Sequence, residues 1–230
     1  MPARQLAGTP LFYDSALKGY YRMESGAMDV DSSTNGRTLT NNGTMGETIG
    51  QFGNASDTGV GNGSKYFSRA DDYTIGGGNI TINCWFNAYT ATYATDHPSV
   101  VYIEDATSQV GYSIFIGSTG ISGARVRQLI AWYEVTQTAI STSTWYMATM
   151  TYNGTNVEFY LNSVSKGTAA SSGDGSGASN DLIAIGRRNS SAYLSAKIDD
   201  VSIFNRVLTA TEISNLYNGT WANNGFFMAT

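Results

Sequence analysis

The chain has 230 residues and a formal net charge of −5, with 13 Lys and Arg against 18 Asp and Glu. Basic residues are not clustered with aromatic ones, and no apolar run reaches the roughly 18 residues of a membrane span, so we expect no nucleic-acid partner and no membrane insertion. The hydrophobic fraction of 41% is sufficient for a folded core, which excludes a disordered chain and favours one large domain.

Charged residues make up 13% of the chain, about half the usual share, whereas Gly, Ser, Thr and Asn are abundant. This composition is typical of β-rich proteins at cell or particle surfaces. No apolar segment follows Met1–Gln5, so no signal peptide is visible. The expected location is an extracellular surface or a virion, and a fragment with its signal removed is an alternative.

Residues 1–16 precede the first strand pattern and are expected to form an N-terminal arm. Residues 26–64 are rich in loop-forming residues. Strand patterns follow over Ser64–Asn87, Ser99–Ile103 and Tyr112–Ile116. Cys84 alternates with apolar residues in the first of these, which predicts a buried free thiol.

The next segments also alternate as strands do. Gln128–Val135 places Trp132 opposite Tyr133, where its ring is expected to reach the surface. Asn153-Gly154 separates Trp145–Tyr152 from Asn156–Leu161, which is a strong signal for a β-hairpin. A Ser- and Gly-rich loop, Ala169–Asn180, then leads to a strand at Leu182–Ile185.

The segment Ile198–Gly219 predicts a strand, a turn and a helix. Strict alternation places Asp199 on the same strand face as Val201 and Ile203. Thr209 and Glu212 have the spacing of a capping box, which predicts a short helix over residues 209–217 that stops at Asn218-Gly219.

Five segments in order resemble the laminin-G-type domains of the concanavalin A-like lectin/glucanase superfamily. They are Gly19–Gly26 with Asp31–Gly36, Ile80–Phe86, Trp145–Gly154, Ile185–Arg187 and Ile198–Gly219. The resemblance covers residues 17–219 and implies an all-β fold: a jelly-roll β-sandwich of two antiparallel sheets with one short C-terminal helix. Residues 220–230 would then form an aromatic C-terminal tail.

Asp199 is expected to be buried, where a carboxylate needs hydrogen bonds, a counter-charge or a metal ion. The resemblance implies a Ca²⁺ ion between the terminal strand and the Asp31–Gly36 loop, where side-chain oxygens recur at alternate positions. The predicted calcium ligands are Asp29, Asp31, Asn35 and Asp199. Alternatively, Asp199 accepts backbone N–H groups while Asp29 and Asp31 shape turns.

Glucanases of this superfamily carry Glu-x-Asp-x-x-Glu on one strand, because glycoside hydrolysis with retention needs two carboxylates about 5 Å apart. This chain lacks that motif, and its lone histidine, His97, has no evident partners for a catalytic triad. We therefore expect a protein that is not an enzyme.

Sugar-binding sites on β-sandwiches combine aromatic rings with polar side chains. The candidate ligand-binding residues, each with packing as its alternative role, are Tyr93, His97, Trp132 and Tyr193. The expected function is a recognition or adhesion module on a cell surface or phage particle that binds glycan through loops at one edge. The alternative is a decoration or fibre protein of a virion without a small ligand, attached to neighbouring virion or surface chains through residues 1–16 and 220–230.

Overall fold

The structure is a computed structural model, and it describes residues 14–61, 64–71, 78–91, 93, 97–105, 110–117, 120–128, 131–171, 181–188 and 192–219. Most of the predicted arm (residues 1–16) and the whole predicted tail (residues 220–230) lie outside these residues.

The strands form two antiparallel sheets, as predicted. The first sheet contains β1 (Leu17–Tyr21), β3 (Gly46–Ile49), β4 (Asn54–Asp57), β6 (Asn79–Ala88), β11 (Trp145–Asn153), β12 (Asn156–Leu161), β13 (Val164–Ala170) and β15 (Ala196–Phe204). The second contains β2 (Thr40–Asn42), β5 (Tyr66–Asp71), β7 (Ser99–Asp105), β8 (Val110–Ile116), β9 (Ile121–Gln128), β10 (Ala131–Ala139) and β14 (Asp181–Ile185).

The order of the strands is that of a jelly-roll-like sandwich. The first sheet runs β13-β12-β11-β6-β15-β4-β3, with β1 also paired to β15, and the second runs β10-β9-β8-β7-β14-β5-β2. The predicted hairpin is confirmed, since β11 and β12 pair across Asn153-Gly154. The prediction of one strand over Gln128–Val135 is wrong, because β9 ends at Gln128 and β10 starts at Ala131 as its antiparallel partner.

The predicted helix is α1 (Ala210–Tyr217), and its capping box is present. The Thr209 hydroxyl accepts the Glu212 backbone N–H at 3.3 Å, and Glu212 Oε2 accepts the Thr209 N–H at 2.7 Å. Ile213 and Leu216 are buried against the first sheet. Within the described residues, no helix has the length and apolarity needed to cross a membrane.

Two apolar clusters hold the fold together. The main core fills the space between the sheets, where Cys84 is buried as the predicted free thiol and burial raises its pKa. The second cluster lies on the outer face of the first sheet, beneath α1. Its buried members are Leu17, Tyr20, Trp85, Met147, Tyr160, Phe204, Leu208, Ile213 and Leu216.

A β-bulge changes the face on which Asp199 lies. The pairing of β15 with β6 shifts between Asp199 and Ser202, and Asp200 adopts a positive φ of 45°. Ile198 and Val201 consequently both pack in the main core. The predicted common face of Asp199, Val201 and Ile203 is therefore wrong: Asp199 is buried, but it lies opposite Trp85 on the outer face of the first sheet.

Candidate functional site

The outer face of the second sheet carries arginine and aromatic side chains. Ala124 and Val126 of β9 pack in the main core, so alternation turns Arg125 and Arg127 outward. Trp132 of β10 is paired with Arg127 and therefore lies on the same face. This face is thus built by β-strand geometry rather than by loops.

Arg125 lies between two aromatic rings. Its guanidinium carbon is 4.6 Å from the centroid of Phe115 and 4.3 Å from that of Trp132, which are cation–π distances. Gly123, opposite Phe115 on β9, leaves room for this arrangement, since a Cβ there would lie 2.9 Å from Phe115 Cζ. The stack buries Arg125 to 3% exposure and fixes the half-buried ring of Trp132.

His97 joins this group from the segment before β7. Its ring packs edge-on against Phe115 at 5.2 Å, and its Nδ1 lies 3.5 Å from a terminal nitrogen of Arg125. Arg125 also donates to the backbone oxygen of His97 at 3.4 Å. Two of the predicted ligand-binding residues, His97 and Trp132, thus both contact Arg125. Arg125 itself was not among the residues predicted from the sequence. The alternation of arginine with small and apolar residues in β9 was the available signal.

Polar groups occupy the middle of the same face. Arg127 forms an ion pair with Glu104 of β7, two strands away. Glu104 also accepts a hydrogen bond from the buried phenol of Tyr102, and burial together with this carboxylate raises the Tyr102 pKa. Arg188 lies close enough to Tyr102 for its charge to act on the phenol. The middle of the face therefore offers fixed donors and acceptors.

A second arginine–aromatic group lies at the other side of this face. Tyr66 of β5 alternates with the core residue Phe67 and so faces outward. The guanidinium carbon of Arg187 is 3.7 Å from the Tyr66 centroid, and the Tyr193 ring lies 6.0 Å from Tyr66. A β-bridge joins Arg187 to Tyr193. The predicted residue Tyr193 is therefore part of an aromatic pair.

Together these residues cross the outer face from β10 to β5, and we call them the arginine–aromatic stripe. Its members are Trp132, Arg125, Arg127, Glu104, Tyr102, Arg188, Arg187, Tyr66 and Tyr193. Five inter-strand spacings separate β10 from β5, which gives a width of about 24 Å. The stripe is wide enough for an extended ligand.

Tyr93 does not belong to the stripe. Its side chain is 7% exposed and packs in the main core. Its hydroxyl oxygen accepts the Ser195 backbone N–H at 3.0 Å, and burial raises its pKa to about 12. The expectation that Tyr93 offers an open ring to a ligand is corrected by this burial.

Asp31 organises the loop after β1. Its Oδ1 accepts the backbone N–H groups of Tyr20 at 3.0 Å and Ser33 at 2.8 Å, and its Oδ2 accepts that of Arg37 at 2.8 Å. Asn35 is exposed and donates to the backbone oxygen of Leu17 at 2.9 Å. These contacts match the turn-shaping alternative for Asp31.

Asp199 holds the turn between β3 and β4. Its Oδ2 accepts the N–H groups of Gln51 and Phe52 at 2.9 and 3.0 Å. Gly50 is required at this turn, because a Cβ there would lie 2.5 Å from that oxygen. Asp199 Oδ1 is buried and has no hydrogen-bond partner among the described residues. Burial and the neighbouring Asp200 raise the pKa of Asp199.

These contacts test the fit of the predicted calcium ligands. Both oxygens of Asp31 already accept backbone N–H groups, while Asp199 binds a different turn. In the described part of the chain, no group of three or more His, Cys, Asp or Glu residues could hold a metal ion. The contacts thus assign Asp31 and Asp199 to two different turns, and calcium binding by Asp29, Asp31, Asn35 and Asp199 stays a prediction.

Fold and surface together define a jelly-roll sandwich with aromatic and charged side chains on the outer face of its second sheet. A family model described as the concanavalin A-like lectin/glucanases superfamily matches residues 61–214. The chain belongs to this laminin-G-type family, as its motifs indicate. No curated protein sequence matches the chain.

Solved structures show the same fold. Domain 4 of AbnA, a GH43 extracellular arabinanase from Geobacillus stearothermophilus solved with arabinotriose, has a TM-score of 0.72 and 20% identity, covering 87% of this chain and 98% of that one. A structure of botulinum neurotoxin type C, a toxin whose cell entry depends on interaction with two ganglioside molecules, has a TM-score of 0.68 and 14% identity. The binding domain of Paraclostridial Mosquitocidal Protein 1 has a TM-score of 0.67 and 15% identity.

The two toxin alignments cover 89% of this chain but only 51% and 52% of the toxin chains. The chain therefore spans about half the length of these toxin structures. At such identities the likeness concerns the fold.

Proposed function

We propose that this chain is a non-catalytic recognition module that binds glycan on the arginine–aromatic stripe. The observation that carries the proposal is the Trp132 ring, half-buried and held against Arg125 on the outer face of the second sheet. A fixed aromatic ring can stack on the C–H groups of a sugar without losing side-chain freedom on binding. The proposed site is a sheet face rather than the loop edge expected from sequence.

The middle of the stripe supplies the polar part of such a site. Arg127, Glu104 and Tyr102 hold one another through an ion pair and a hydrogen bond. Sugar hydroxyls both donate and accept, so a preorganised row of arginine, carboxylate and phenol suits them. Aromatic rings at both ends of this row favour an extended oligosaccharide over a single sugar.

Similar structures support a binding role. The arabinanase domain was solved with arabinotriose, and the type C neurotoxin interacts with gangliosides during cell entry. Arabinotriose and gangliosides both contain carbohydrate, and both are ligands of proteins that share this fold. These likenesses support a carbohydrate as the ligand class, while the sugar itself is left to experiment.

The carboxylates of the face support a role without catalysis. Glu104 is engaged by Arg127 and Tyr102, and the exposed Glu134 lies on β10, three strands from β7. Glycoside hydrolysis needs one carboxylic acid and one carboxylate that flank the scissile bond.

The biological setting is part of the proposal. Display on a cell surface or phage particle suits a recognition module with few charged residues. The alternative role, a virion component attached through residues 1–16 and 220–230, concerns segments that lie mostly outside the described residues. Co-purification with virions, without binding to any glycan, would favour that alternative.

A glycan array followed by calorimetry tests the proposal. Trp132→Ala should weaken binding of the best array ligand by about tenfold or more, because a central aromatic contact is lost. Trp145→Ala is the matched control, since Trp145 packs against the cluster beneath α1 on the other sheet. Absence of glycan binding by the folded wild-type protein would contradict the proposal.

A further inference from the structure

The β5 end of the stripe differs in charge from the β10 end. Arg187 follows Gly186, whose positive φ of 88° turns the chain at the end of β14. The Arg187 guanidinium is thereby placed 3.7 Å from the ring centroid of Tyr66. Stacking on a ring holds a guanidinium in one plane and reduces the entropy lost when it binds a ligand.

Within the described ranges, no ion pair involves the positive charges at this end of the stripe. Among the described residues, neither Arg187 nor Arg188 forms an ion pair, and Arg187 Nε is buried without a hydrogen-bond partner. Lys65, directly before Tyr66, also has no ion pair within that part of the chain. The adjacent sequence stretches 61–64 and 189–191 contain only Gly, Asn and Ser.

Several other arginines form ion pairs. Arg22 pairs with Glu24, Arg127 with Glu104, and Arg206 with Asp14 and Glu212. Only 13 Lys and Arg are present in a chain of net charge −5. Arg187 and Arg188 therefore place positive charge beside the Tyr66–Tyr193 pair and Tyr102, and such a field attracts anions.

We infer that Tyr66, Arg187 and Tyr193, with Arg188, form a subsite for the carboxylate of an acidic sugar, such as a uronic or sialic acid unit. The inference rests on the proposed glycan-binding function. A guanidinium binds a carboxylate through two parallel N–H···O bonds, while the tyrosine rings contact the sugar ring. The uncharged part of the same glycan extends across the stripe toward Trp132.

Matched glycan pairs test the carboxylate directly. An array of acidic oligosaccharides, among them oligogalacturonates and sialylated lactose, is compared with carboxyl-reduced or unsialylated counterparts. The wild-type protein should prefer the acidic member of a bound pair by about tenfold, and the preference should shrink as salt is raised. Equal binding of both members of every bound pair would overturn the inference and leave glycan binding intact.

Variants then locate the preference. Arg187→Gln should lower the ratio of acidic to neutral affinity to about one, and Arg187→Lys should restore this ratio only in part because one point charge replaces the fork. Lys166→Gln, on β13 of the other sheet, removes the same charge elsewhere and should have no effect.

The two proposals fail in different ways. An unchanged acidic preference in a folded Arg187→Gln protein would overturn the carboxylate subsite alone. A wild-type protein that binds no glycan on the array would overturn both. Melting temperatures of all variants confirm that the comparison concerns folded protein.

Discussion

Asp199 and Asp200 are consecutive residues whose carboxylates bind two different elements beside the terminal strand. Asp199 accepts the N–H groups of Gln51 and Phe52 in the β3–β4 turn, whereas Asp200 accepts the Tyr20 hydroxyl of β1 at 2.7 Å. The bulge and the positive φ of Asp200 make this division possible. Two acidic groups thus join β15 to β1 and to the β3–β4 turn.

This pair predicts a pH-dependent stability. Burial raises the pKa of each carboxyl in the folded protein above the usual Asp value of about 3.9. Between that value and the raised pKa, the folded state binds more protons than the unfolded state, so stability falls as pH rises through this window. We expect a lower melting temperature at about pH 8 than at about pH 5, measured in EDTA to exclude metal effects.

Asp199→Asn is the control for this prediction. The amide oxygen can still accept the two N–H groups, but no charge is buried at high pH. The variant should therefore show a smaller drop in melting temperature over the same pH range. An identical pH profile for wild type and Asp199→Asn would show that Asp199 does not cause the effect.

Asp199→Ala should cost about 1–3 kcal/mol of unfolding free energy, because the N–H groups of Gln51 and Phe52 lose their acceptor. Urea denaturation near pH 5 measures the loss, with Asp199→Asn as the milder comparison. A cost below about 0.5 kcal/mol, typical of surface substitutions, would contradict the buried position.

The calcium hypothesis predicts that EDTA lowers the melting temperature and that added Ca²⁺ restores it, since binding to the folded state alone stabilises it. Asp31→Asn would then abolish the calcium response. An identical melting temperature in EDTA and in Ca²⁺ would contradict the hypothesis. The backbone contacts of Asp31 and Asp199 would then account for both carboxylates.

The capping box of α1 gives a further prediction. Thr209→Ala removes the hydroxyl that accepts the Glu212 N–H and should cost about 1 kcal/mol of unfolding free energy. Thr209→Ser keeps the hydroxyl and should cost less. Equal losses for both variants in urea denaturation would mean that the cap contributes little.

Local sequence signals predicted the local structures. The Asn153-Gly154 turn, the Thr209–Glu212 box and the buried Cys84 each depend on residues within a few positions of one another, and all are confirmed. His97 and Trp132 were recognised by residue type and do lie together. Their meeting point, Arg125, depends on the register of three strands, which a single sequence does not display.

The strand face on which Asp199 lies could not be predicted from the sequence. Alternation was extended through Asp200 as if the strand were regular, but one extra residue reversed the pattern. Two consecutive acidic residues in a strand are compatible with a regular strand and with a β-bulge. Only the pairing with the neighbouring strand distinguishes the two. Tyr93 was misjudged for a related reason, because a loop residue can turn its side chain into the core.

The placement of the first and last described elements affects how the molecule can be presented. Leu17 of β1 and Leu216 of α1 share the cluster on the outer face of the first sheet. The arginine–aromatic stripe lies on the opposite outer face of the sandwich. A partner bound over β1 or α1 would consequently lie on the side of the sandwich that is turned away from the stripe.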